Sequence, residues 1–136
     1  MIDFHPVVLH YPIVLISVVP VFDSLSLLTK KSFENLALWS LFFGVAFLIP
    51  TLLTGLLAAK FYPPTKAILI NHRTMAFIAS GFSLLHLFFR FYLKRQNIVS
   101  RGKWLILLSV INFVLIAVTS DLGGILAFGR SPFFGR

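Results

Sequence analysis

Cysteine is absent from the 136-residue sequence. That excludes disulfide staples, thiolate metal ligands, iron–sulfur clusters and thiol chemistry together. Charge is scarce as well. Only 12% of residues are charged, and just four are acidic against twelve lysines and arginines. Long polar stretches are missing: the polar connectors are TKKSFEN, KFYPPTK and KRQNIVSRGK, none of them able to form a soluble domain. No serine sits in a nucleophile elbow or beside a base. No glycine loop is built to cradle phosphate, Gly123-Gly124 being a lone pair near a helix end. No inverted repeat or pair of broken helices suggests a transporter. No internal repeat or low-complexity segment is evident. An enzyme is therefore not the expected class.

What the sequence has instead is hydrocarbon. Hydrophobic residues make up 58%, sixteen are phenylalanine, and the mean hydropathy is +0.94. An apolar run of at least ~18 residues with few charges reads as a membrane-spanning helix. Four such runs are present, at about 7–28, 36–59, 67–93 and 104–128. The expected fold is all-α: an integral membrane four-helix bundle, antiparallel and up-down-up-down, with residues 1–136 forming one domain. The residues before the first run, Met-Ile-Asp-Phe-His, include no Lys or Arg. That run is therefore expected to be a retained span and not a signal peptide.

A net charge of +8 invites a nucleic-acid reading, but the placement of the cations argues against it. Most lie in connectors or at span ends, where they anchor to head groups, and no basic face carries interleaved aromatics for stacking. Trp39, Tyr62, Tyr92 and Trp104 suit the interfacial belt. The connectors opposite the termini hold Lys30, Lys31, Lys94, Arg95, Arg101 and Lys103, against Lys60, Lys66, Arg130 and Arg136 on the terminal side. Arg90 and Arg73 add one to each. The excess places both termini outside a bacterial cytoplasmic membrane.

Polar residues at membrane depth are expensive and face the bundle interior. In AILINHRTMAFIASGFSLLHLFFRFYL, one helical face carries His72, Ala76, Ala79, Ser83, His86 and Arg90. At ~100° per residue, His72 and His86 differ by only about 40° around the axis. Gly44, Thr51, Gly55 and Ala58 share a face of the second span; Ser109, Asn112, Thr119 and Gly123, with Asp121 nearby, share one of the fourth. Small residues at such spacing let helices approach closely. Pro20 and Pro50 interrupt the first two spans. By depth, Asp23 and Arg90 are expected to form a structural ion pair. Asp121 is expected to partner Arg73, His72 or His10.

Three stretches carry a resemblance. The opening HPVVLHYPI resembles the His-Pro, His and Pro-Ile pattern of an uncharacterised bacterial family of small four-helix predicted membrane proteins. Asp23 and His72 fall where that family has an acid late in helix one and a histidine opening helix three, and LGGILAFG is similar to its closing Gly-Gly, Leu and Gly. The match spans essentially the whole chain. One departure is that LLAAK follows Gly55, where the family often has an acidic residue. The architecture is also similar to b-type di-haem membrane cytochromes, which implies a redox past.

A b-type haem in a bundle needs two neutral imidazoles on different helices, with small residues to admit the macrocycle. His72 and His86 lie roughly 21 Å apart along the axis and cannot share one haem. His10, or His5, could face His72; His86 has no histidine partner on spans two or four. One bis-histidine haem is therefore the maximum for a single chain; a second, on His86 as the weaker cofactor-binding candidate, would need a ligand from another subunit. A nitrogen/oxygen site for a transition-metal ion is the alternative, from His5, His10 and His72 with Asp121 or Asp3. The structural alternative is that these imidazoles bond to backbone, lipid or Asp, and that His86 joins Arg90 and Asp23. Two function classes follow: a haem- or metal-binding electron-transfer protein, or a cofactor-free accessory subunit of a larger membrane complex. Beyond such subunits the expected partner is the lipid bilayer. The first class needs the first and third helices to touch, with His10 and His72 at one height.

Overall fold

The computed structural model describes residues 4–29, 32–61, 67–96 and 103–129. Asp3, Tyr62 and the cations Lys30, Lys31, Lys66, Arg101, Arg130 and Arg136 lie outside the described residues. Helix α1 (His5–Ser17) begins with Pro6 in its first turn, where a missing N–H costs nothing. It runs into α2 (Val19–Thr29) through a break at Val18. Pro20 lacks the N–H that would bond the Ile16 carbonyl, which loosens the helix there. The break is shallow, because Val18 N–H still reaches Val14 O and Phe22 N–H reaches Val18 O, each at 3.1 Å. The second span is α3 (Glu34–Ala58), tightened at its end into a 3₁₀ turn, Ala59–Phe61. Helices α4 (Ala67–Arg95) and α5 (Lys103–Phe128) complete the bundle. Gly129, with φ +72°, ends α5 in the left-handed conformation that glycine adopts without strain.

Four segments are long and apolar enough to cross a membrane: His5–Thr29, Glu34–Phe61, Ala67–Arg95 and Lys103–Phe128. They pack as antiparallel neighbours into an all-α membrane bundle. The first span rests on the second and fourth, and the third span rests on the same two. The first and third thus lie on the diagonal. This corrects the expectation that their helices touch: side chains, not backbones, meet between them. The reason is the short connectors, which make sequence neighbours pack together and leave alternate spans on opposite corners.

The outer circumference is apolar, with Leu85, Phe88, Ile49 and Val14 exposed to the lipid side. Inside, Ile16, Val19, Ala37, Leu41, Ala79 and Ile116 form the core. A Cβ at Gly44 would stand 2.7 Å from Ile16 Cγ1, so glycine is what lets α3 close on α1.

Candidate functional site

Two polar layers occupy opposite ends of the bundle. The layer away from the termini is a fully buried chain of side chains. Arg90 Nη2 donates to Asp23 Oδ2 across the diagonal, and Arg90 Nε donates to His86 Nε2 at 3.0 Å. The ring proton of a neutral His86 therefore sits on Nδ1, which faces Asn112 Nδ2 at 3.5 Å. Asn112 Oδ1 lies 2.8 Å from Ser83 Oγ, itself 2.8 Å from Ala79 O. Donors and acceptors match throughout when the Asn112 amide turns its oxygen to His86. Its NH₂ then donates to Ser83, whose hydroxyl donates to Ala79 O. Both ring nitrogens of His86 are thus engaged within the protein. The chain does not relay protons end to end, because a guanidinium between Asp23 and His86 neither accepts nor releases a proton in proteins.

The layer at the terminal end encloses a cavity of about 450 Å³, within the range of ligand sites. All four spans line it. His5 Nδ1 lies 3.1 Å from Thr54 Oγ1 on α3. The Thr54 hydroxyl proton goes to Pro50 O at 2.8 Å or Thr51 O at 3.1 Å, so the imidazole is the donor to Thr54. His72 Nδ1–H donates to the Thr119 carbonyl of α5 at 3.0 Å. A carbonyl carries no proton, so this bond fixes the tautomer and leaves the lone pair of His72 on Nε2. Each of these rings rests on a glycine. A Cβ at Gly55 would come within 2.9 Å of His5 Cε1, and one at Gly123 within 3.0 Å of His72 Cε1.

His10 also borders the cavity, but its side chain is exposed and its Nδ1 turns back to the Pro6 carbonyl. The inward face of the first span runs through Pro12, Ile16, Val19 and Asp23. At 100° per residue, His5 is seven positions before Pro12 and falls on that face; His10 is two before it, about 200° away. This corrects the expectation that His10 occupies the inward seam. Asp121 is half-buried on α5, and Arg73 beside His72 is exposed. Among the described residues, no three His, Asp or Glu side chains gather around one point. His5, His10, His72 and Asp121 therefore do not form one cluster.

Sequence reasoning missed Thr54, the pairing of Gly55 with His5, and the pairing of Gly123 with His72. A signal existed: threonine and glycine stand four apart both in Thr51–Gly55 and in Thr119–Gly123. At the same end of the bundle, Thr54 and Gly55 set the His5 ring, and the Thr119 carbonyl and Gly123 set the His72 ring.

The chain belongs to the family of predicted membrane proteins DUF2231, which matches residues 1–131. No curated protein and no solved structure matches the chain.

Proposed function

We propose that the protein holds a b-type haem, or alternatively a transition-metal ion, in the cavity at the terminal end and serves electron transfer in a bacterial cytoplasmic membrane. The observation that carries this is the state of the imidazoles. His72 borders the cavity and ties Nδ1 to a backbone carbonyl, which leaves Nε2 as the lone-pair atom, and the first span brings an imidazole to the same cavity from His10 or His5. Backbone-anchored imidazole of this tautomer is the form that ligates iron and other metals. The lining also fits a flat apolar group. Ala58 and Ala59 on the second span and Gly124 and Ala127 on the fourth keep the lining small on the other diagonal. When bound, the group supplies reversible one-electron chemistry. The protein's part is to hold His72 through Thr119, to offer an imidazole from the first span, and to keep the surroundings apolar. The Lys/Arg excess in the connectors opposite the termini supports an orientation with both termini outside.

Protein purified in detergent should show a Soret band, oxidised and reduced, that disappears in His72→Ala. A metal ion in its place would be found by elemental analysis and lost in the same variant. A second function is favoured by the seats described above. His5 clasps the first span to the second and His72 clasps the third to the fourth, which suits a cofactor-free accessory subunit. Colourless, metal-free protein purified from its own membranes would overturn the binding function in favour of that one.

A further inference from the structure

The two polar layers share a hidden regularity. Asp23 and Arg90 are 67 residues apart. That same shift carries Pro12, Ile16, Val19 and Asp23 onto Ala79, Ser83, His86 and Arg90, which are all buried. A shift of 68, one residue absorbed in the connectors, carries Ala37, Leu41, Gly44 and Leu48 onto Leu105, Ser109, Asn112 and Ile116, the buried residues of α5. Helical periodicity alone would align faces, but it would not align depth or chemistry. Here His5 and Gly55 map onto His72 and Gly123, and in both pairs the ring sits on the glycine. Thr51 maps onto Thr119, and each hydroxyl bonds its own i−4 carbonyl at 2.7 Å. Packing obeys the same rule: α1 lies on α3 as α4 lies on α5.

We propose that the chain is two equivalent hairpins related by an approximate two-fold along the bundle, and that the ligand-holding pair of the cavity is His5 and His72. Residues related by a two-fold can touch each other only at its axis. The Asp23–Arg90 contact therefore marks where the axis passes at one end. At the other end the axis enters the cavity, with His5 and His72 as its equivalent walls. His10 has no such counterpart: its equivalent is Phe77, and both are exposed. A ligand on the axis would meet an imidazole from each side, which would suit a group held by two histidines. This assignment rests on the binding function proposed above and takes His5, not His10, as its first-span imidazole.

The test is titration of the detergent-purified full chain with ferric haem and, separately, with Cu(II). The variants are His5→Gln, His72→Gln and His10→Gln. Glutamine keeps a donor for Thr54 or Thr119 while removing the imidazole. The wild type and His10→Gln should bind alike, with a low-spin six-coordinate haem spectrum. His5→Gln and His72→Gln should each lose that spectrum and bind more than about tenfold more weakly. If His10→Gln is as damaging as His72→Gln while His5→Gln binds normally, the pair is wrong and the binding function stands. If the wild type takes up neither probe, the pair and the binding function both fall. The hairpin equivalence is judged separately by ligand-free melting midpoints. Equal shifts in Gly55→Ala and Gly123→Ala support it, and clearly unequal ones overturn it.

Discussion

At the scale of single residues, the buried charge pair dominates. Asp23 and Arg90 are 6% and 5% exposed, and Arg90 has a second partner in His86. Removing one member of a buried pair strands the other, a loss of about 3–5 kcal/mol. Asp23→Asn and Arg90→Met should therefore each lower the melting temperature in detergent sharply, while Asp23→Leu combined with Arg90→Leu should recover much of the loss. If the single variants melt like the wild type, the pair is not shielded from water. The glycine seats make a smaller demand. Alanine at Gly55 or Gly123 would press the imidazole off its seat and strain its bond to Thr54 or Thr119, at about 1 kcal/mol, the low end for overpacking. Depth is legible in a sequence, because counting residues along two spans brings charges to one level. Azimuth is harder. One proline-bearing turn was enough to make His10 look equivalent to His5, although the two rings point about 200° and about 20° away from the inward face.

At the scale of elements, the closest helix approach is α1 against α3 at Gly44 and Ile16. Gly44→Ala should destabilise by about 1–3 kcal/mol, since Ile16 is 0% exposed and cannot swing into solvent. Adding Ile16→Ala should restore part of that stability, and the double-mutant cycle measures how much of the effect is this one contact. Additive single effects would show that the two residues are independent. The spans themselves are readable from apolar length, because lipid demands about 20 residues whatever the packing. The shallow break at Val18 is signalled only by Pro20 two residues later. The repeat of the hairpin is invisible to identity, since Ile16 answers to Ser83, Val19 to His86 and Gly44 to Asn112. Burial register preserves what side-chain chemistry has lost.

At the scale of the molecule, the absence of cysteine makes orientation directly measurable. Single substitutions Lys60→Cys and Gln96→Cys lie at opposite ends of the bundle. In intact cells a membrane-impermeant maleimide should label the first, and the second only after permeabilisation. The reverse pattern would invert the topology. Charge bias is a count over few residues, which is why the fold is more legible than its direction.

The diagonal ion pair also bears on synthesis. Ribosomes finish the first hairpin, with the carboxylate of Asp23 at membrane depth, before the guanidinium that neutralises it has been made. Until the third span arrives, that acid has to stay near the head groups or be sheltered by the insertion machinery. A chain truncated after the second span would leave that charge without its counter-ion in lipid, at a cost of about 2.5–3.5 kcal/mol.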